Sequence, residues 1–395
     1  MEYLIVAGIV LSVLLLTVTL SKKNKQAPDK HLILYLGFAT FWQAYFYLET
    51  LSFLQASPFM LLGKGLYLLN APLFFAYVYV LTTSRRLTLK LSAILFSPFA
   101  AYVIHFMYFH FLVFDQADLS IKSGLLFIDG QLALSWLFFV ILFLLIEPVF
   151  LVWFYFLLKK YKQRLLQSES DLSRIRLRWL YLLFYLCLII SLFLIPASML
   201  SLGGGLVSTD LLPIMMQGAT VLFLFIVGYY GFRQTTVFAN PALDLTTEGQ
   251  MKNGSYQRSG LSDAQAAIYH AQLLTLMKEK KPYLNGELKA SELAQMLDIS
   301  VNHLSQVLNN IQQQNFFDFV NGYRIKEVIK KMEAPKNSHL TLLAMALDSG
   351  FNSKTSFNTV FKKITHQTPS AFYKSLTSRP SGKRIKEVRT YRLGR

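Results

Sequence analysis

The side chains whose types and spacing could do chemistry lie in two short stretches towards the end of the chain. In one, Val301, Asn302, Ser305 and Gln306 recur at helical spacing; in the other, Lys354, Thr355, Asn358 and Thr359 do the same. Each stretch follows a serine, Ser300 or Ser353, placed to accept an orphan N–H as a helix N-cap. Leu304, Val307 and Leu308 make an apolar face in the first stretch, and Phe357, Val360 and Phe361 make the same face in the second. The polar sets fall opposite. Asn and Gln offer a donor–acceptor pair suited to adenine, Lys a donor suited to guanine, and Ser or Thr suit either. These faces can therefore read base edges if their helices enter the major groove of double-stranded DNA. Any amphipathic helix has a polar face, but the duplication and the local positive charge favour DNA contact. Neither face contains arginine, so strong guanine readout is not expected.

The elements that would position these faces are also written in the sequence. Ahead of each serine run a short amphipathic helix and a tight turn, together Leu293 to Ile299 in the first case and Met345 to Asn352 in the second. Each has a small residue, Ala294 or Ala346, where two helices must approach closely, and Gly350 can supply a positive φ in the second turn. Between the two patterns, Asn315 to Met332 reads as a connecting helix. Phe316, Phe317, Phe319, Val320, Tyr323, Val328 and Met332 supply its core. Arg324, Lys326, Lys330 and Lys331, together with Lys362 and Lys363, are candidates for phosphate contacts, which set register without reading sequence.

These residues resemble the AraC-type (AraC/XylS) DNA-binding domain. The resemblance is carried by Leu293-Ala294, Ser300, Leu304, the run Asn315-Phe316-Phe317-Asp318-Phe319-Val320-Asn321, Tyr323-Arg324, Gly350-Phe351-Asn352-Ser353, Phe357, Phe361-Lys362-Lys363 and Thr368-Pro369. It implies two helix-turn-helix units bridged by a long helix, with two recognition helices entering successive major grooves on one face of the duplex. Members of this family often bind inducers through a separate N-terminal domain. Two departures stand out: the family usually has glycine where Gln313 stands and again near His366, and either loss could strain a turn.

The rest of the 395-residue chain has a different character. The whole chain is 53% hydrophobic with a net charge of +17. Seventeen basic and ten acidic residues precede position 236; twenty-two basic and twelve acidic follow from there. Each part thus has its own positive excess. Seven apolar runs are long enough to cross a bilayer core of about 30 Å: Tyr3–Leu20, Leu32–Leu54, Leu66–Thr83, Leu91–Leu112, Leu132–Leu158, Trp179–Leu202 and Leu211–Phe232. The first has no basic region before it and no small-residue cleavage site after it, so it is expected to be retained.

Loop charges orient these spans. Loops one, three and five and Arg233 hold fifteen Lys and Arg, including Lys22, Arg85, Lys162 and Arg176, whereas the alternate loops hold only Lys64 and Lys122. Positive residues collect on the cytoplasmic side, so the N-terminus is expected outside and everything after Arg233 in the cytoplasm. Glu147, beside Pro148 inside the fifth span, is the main candidate for sensing a proton, ion or ligand; a hydrogen bond at a helix kink is the plainer reading. His105, His110 and Glu49 lie near outer span ends, where interfacial placement also explains them. The seventh span has no lysine, which excludes a retinal Schiff base there.

Residues 235–261 read as a linker and 262–282 as a connector helix. The helix opens on a Ser262–Gln265 capping box and carries an apolar stripe of Ala264, Ala267, Ile268, Ala271, Leu274 and Met277. That stripe either packs on the following domain or serves dimerisation or signal relay. The tail 378–395 is basic and could meet DNA phosphates or the anionic inner membrane surface. The single cysteine, Cys187, excludes an intramolecular disulfide, and no metal-ligand, phosphate-loop or other enzyme motif is present, so neither cofactor nor catalysis is expected.

The expected architecture is all-α. A seven-transmembrane sensor bundle (1–234) is followed by the linker and connector, an AraC-type domain with two helix-turn-helix units (283–377) and the tail. The expected function is that of a membrane-tethered transcription regulator, multi-pass in a bacterial inner (cytoplasmic) membrane. Its partners would be double-stranded DNA, the lipid bilayer, an unidentified ligand or membrane signal, and a second copy of itself as homodimer. The alternative is a transporter-like or receptor-like membrane protein whose cytoplasmic helical domain docks a protein partner.

Overall fold

At each of the seven apolar runs the computed structural model has a helix. These are α1 (Glu2–Leu20), α2 (Ala27–Thr50), α3 (Asn70–Thr83, entered through a 3-10 turn at Leu66–Leu69), α4 (Leu89–Leu112), α5 (Leu134–Ser168), α6 (Leu177–Gly204) and α7 (Leu211–Arg233). The structure describes residues 2–51, 63, 65–112, 119–122, 125–128, 131–132, 134–172, 177–204, 211–233, 261–335 and 339–378. The expected linker from 235 to 260 and the basic tail after Ser378 lie outside the described residues.

The chain divides into two units, one formed by residues 1–159 and 178–241, the other by 160–177 and 242–395. Helix α5 thus belongs to the first unit up to Lys159 and to the second from Lys160. The second unit is built from two separate stretches of chain.

In the first unit α3 is the enclosed helix: 72% of its apolar window is buried, against 17–28% for the windows of α1, α4, α6 and α7. Phe74 of α3 packs edge-on against Phe154 and Phe223 and against Tyr35 at 5.6 Å between ring centres. The other helices turn apolar side chains outward, as at Val10 (61% exposed) and Leu192 (68% exposed). Water does not tolerate such faces in bulk, and among the described residues five helices are long and apolar enough to cross a membrane.

The described residues are overwhelmingly helical, as expected, with one exception. Three short antiparallel strands, β1 (Leu119–Lys122), β2 (Leu125–Ile128) and β3 (Gln131–Leu132), lie between α4 and α5, where a loop and the start of the fifth span were expected. The Leu-Ser-Ile-Lys and Leu-Leu-Phe-Ile segments carry enough branched and aromatic character to pair as strands.

The second unit holds α8 (Asp263–Glu279), α9 (Ala290–Met296), α10 (Val301–Asn310), α11 (Phe316–Glu333), α12 (Leu342–Leu347), α13 (Lys354–Thr365) and α14 (Pro369–Thr377). Helix α11 bridges two apolar cores. Its first half gives Phe316, Phe319 and Val320 to a core with Leu293, Leu304, Val307 and Leu308; its second half gives Ile325, Val328, Ile329 and Met332 to a core with Met345, Phe357, Val360 and Phe361. Helix α8 forms the expected capping box, with the Gln265 N–H donating to Ser262. Its packing face, however, is Leu273, Leu276 and Met277. Of the expected stripe only Met277 is buried; Ile268 is 55% exposed, because the side of α8 that meets α10 is rotated from the one the spacing suggested.

Candidate nucleic-acid interface

The two helix pairs, α9–α10 and α12–α13, turn by the same backbone route. The Ile299 N–H donates to the Ala294 carbonyl at 3.1 Å, and the Phe351 N–H donates to the Ala346 carbonyl at 3.1 Å. At the corner stand Asp298 (φ 54°) and Gly350 (φ 92°), both left-handed. Glycine is required at 350: a Cβ there would come within 2.3 Å of the Tyr283 carbonyl oxygen. Ala294 and Ala346 are buried at the crossing, as a close helix approach demands.

Each turn ends on its serine. Ser300 Oγ accepts from the His303 N–H and Ser353 Oγ from the Ser356 N–H, both at 3.1 Å. Three further caps were not anticipated: Asn315 on α11, Thr341 on α12 and Thr368 on α14. Their signal was present in the sequence, since each is a cap-type residue just before an apolar run.

The polar faces then differ in exposure. Lys354, Thr355, Asn358 and Thr359 on α13 are all exposed; Val301, Asn302, Ser305 and Gln306 on α10 are all half-buried. Tyr269 of α8 stacks on His303, and Gln167 of the α5 extension shares a small cavity with Val301, Ser305 and Asn309.

The expected phosphate contacts separate into two groups. Lys326, Lys330 and Lys362 are exposed, and Lys326 lies 5.3 Å over the Tyr323 ring. Lys363 is exposed and pairs with Asp318 at 2.6 Å, and Lys331 is half-buried. Arg324 is different: it is 1% exposed, and its five N–H groups all meet protein acceptors. Nε donates to the Tyr283 carbonyl, Nη1 to the Ser170 carbonyl and Asn321 Oδ1, and Nη2 to the Asn285 carbonyl and Ser170 Oγ, at 2.8–3.2 Å. A phosphate would find no free donor there, so Arg324 is a core residue. Burial lowers its guanidinium to about 10, with Asp171 opposing the shift, and it stays cationic at neutral pH.

Residues 293–375 match the family described as a helix-turn-helix domain. This segment contains the residues, Leu293 to Pro369, on which the AraC-type resemblance rests. An uncharacterised HTH-type transcriptional regulator of Staphylococcus aureus (strain COL) is 32% identical over 90 residues, 23% of this chain and 12% of that protein. The HTH-type transcriptional regulator GlxA of Rhizobium meliloti (strain 1021) is 20% identical over 177 residues, 45% of this chain and 49% of that protein. The chain therefore spans half or less of the length of either relative. No solved structure matches it. In this segment, Gln313 (φ 53°) and His366 (φ 59°) do occupy left-handed positions, at the two places where glycine was expected.

The sensing candidates fall in the first unit. The Tyr67 hydroxyl donates to Glu147 Oε1 at 3.5 Å. His105 and Glu49 are half-buried, and the side chain of His110 lies outside the described residues. The structure adds a polar pair that the sequence did not single out: Gln217 Nε2 donates to Gln43 Oε1 at 2.6 Å, with both side chains buried.

Proposed function

We propose that the chain is a membrane-tethered transcription regulator that binds double-stranded DNA through its two helix pairs and responds to a signal received by the helical first unit. One observation supports this above others: α13, inside the segment that matches the helix-turn-helix family, projects an exposed Lys354–Thr355–Asn358–Thr359 face from a serine-capped start. Those side chains suit base edges in a major groove, and both relatives are named as transcriptional regulators.

Membrane topology is supported by two independent features. The loop charges support a cytoplasmic side for residues 159–178 and everything after Arg233. Ser170 and Arg324 are hydrogen-bonded within one unit, so the chain must cross a bilayer an even number of times between them; α6 and α7 supply two crossings. Seven spans with an external N-terminus fit both.

The test uses the full-length protein in lipid nanodiscs. It should select a duplex from a random-sequence pool and protect two major-groove segments about one helical turn (~34 Å) apart. A footprint in one groove segment only, with Lys354→Ala and Asn358→Ala both silent, would reject the two-helix reading. Reporters fused after Asp118 and Lys162 should behave as external and cytoplasmic; equal behaviour would reject the seven-span arrangement.

A further inference from the structure

The stretch that continues α5 beyond Lys159 is held on the DNA-binding unit by a dense set of contacts. Ser170 is 1% exposed. Its hydroxyl donates to the Leu288 carbonyl at 2.6 Å and accepts from Arg324 Nη2 at 3.0 Å, while its carbonyl accepts from Arg324 Nη1 and Asn321 Nδ2. Glu169 bridges Lys289 in antiparallel backbone pairing. Asp171 accepts from Asn352 Nδ2 at 2.8 Å, and Asn352 lies one residue before the cap of α13. The stretch thus touches the start of α9, the bridging helix and the second turn together.

Its helical part reaches α10. Gln167 lines one small cavity with Val301, Ser305 and Asn309, which follow each other at four-residue spacing along one stripe of α10. Val301 and Ser305 belong to the face expected to read bases. All four residues of the corresponding face of α13 are exposed. Gln167 is itself exposed, and Val301 and Ser305 of that face share its cavity.

We propose that residues 160–171 are an internal partner of the DNA-binding unit, seated on the Val301–Ser305–Asn309 stripe, and that they must leave it before α10 can enter a groove. A major groove accepts a helix only when its reading face is bare, because base edges and a covering chain would occupy the same volume. Since the covering chain is the end of α5, a change in that helix and a change in DNA affinity become two views of one equilibrium. The proposal rests on the DNA-binding reading above, and its test separates the two.

The experiment uses the full-length protein in nanodiscs with Cys187→Ser, Gln167→Cys and Ser305→Cys, a reducible thiol cross-linker, and a duplex selected by the full-length protein from a random pool. Without DNA the pair should cross-link; the duplex should suppress it. The cross-linked protein should bind the duplex at least about tenfold more weakly than the same protein after reduction, as expected when the competent state is depopulated. Reduction also controls for misfolding. As a second arm, Ser170→Ala with Asp171→Ala should speed thiol labelling of Ser305→Cys and tighten DNA binding. Absence of the cross-link, or equal affinity before and after reduction, would overturn the proposal. If the reduced protein binds no duplex at all, the DNA reading and the competition both fail, while the cross-link still reports whether the stretch is docked.

Discussion

Arg324 and Ser170 lie 154 positions apart, and two hydrogen bonds of 3.0 Å join them, one to the serine carbonyl and one to its hydroxyl. The guanidinium places its five donors in a fixed fork, and here every prong has an acceptor. Lysine has three donors on a flexible stem and cannot reproduce that pattern. Arg324→Lys should therefore leave at least two of the five acceptor oxygens without this donor and cost about 2–4 kcal/mol. Urea-dependent protease resistance of the second unit measures this; an unchanged midpoint would mean that water takes over the fork.

Gly350→Ala should be among the most damaging small substitutions. It combines a left-handed φ of 92° with a Cβ 2.3 Å from the Tyr283 oxygen, the same oxygen that holds Arg324 Nε. Strain alone costs about 1–3 kcal/mol, and the backbone contact adds to it. The same protease assay should show the second helix pair opening first.

Gln313→Gly and His366→Gly should act in the opposite direction. Both residues are exposed and both hold left-handed backbone, at φ 53° and 59°. Relief of the Cβ strain favours glycine by about 1 kcal/mol at each site, net of its greater freedom when unfolded. A lowered stability for either variant would show that its side chain contributes more than its backbone loses.

For DNA, Asn358→Ala and Lys354→Ala should each cost about 1–3 kcal/mol and relax specificity at one base position. Lys362→Ala should weaken binding to every sequence alike and reduce the salt slope by about one unit. Lys363→Ala should do so with an added loss of stability, because Lys363 also pairs with Asp318. Quantitative binding at several salt concentrations distinguishes base contacts from phosphate contacts.

Docking of residues 160–171 should depend on pH through Glu169. Burial raises its carboxyl above the usual range; Lys289 opposes the shift, while Glu292 and Asp171 reinforce it. A raised pKa in the docked state means that the protonated form docks better. The contribution is complete below the undocked pKa and is lost as pH rises through the docked one. Acidification from neutrality should therefore tighten docking, and Glu169→Gln should tighten it at neutral pH and flatten the dependence. Spin-pair distances between Gln167→Cys and Ser305→Cys give the docked fraction directly. A docked fraction unaffected by Glu169→Gln would assign the pH response elsewhere.

Much of this was legible in the sequence because local chemistry repeats. The serine caps, the Leu304–Val307–Leu308 and Phe357–Val360–Phe361 faces and the glycine corner are all short-range patterns, and each occurs where the spacing puts it. What was not legible is long-range. Arg324 looked like a surface cation because its helix neighbours are lysines; only the fold brings the Ser170, Tyr283 and Asn285 oxygens around it. The face that α8 buries was likewise decided by the fold, since Leu273 and Leu274 are equally apolar and only Leu273 is buried. The strands between α4 and α5 were missed because segments of four residues are too short for a period to declare itself.

The discontinuity of the second unit has a bearing on how the protein is made. Ser170 leaves the ribosome before α6 and α7 exist, and Arg324 leaves after both. The earlier strip must wait, with its carbonyl and hydroxyl facing water, until the later domain arrives and closes the loop. In a chain that threads the bilayer as proposed, failure of either α6 or α7 to insert strands Ser170 on the far side from Arg324. The guanidinium then lacks two of its five acceptors, and the docked state cannot form. Docking is in this sense a proofreading step on membrane insertion: only a correctly threaded chain can hold its DNA-binding unit in check.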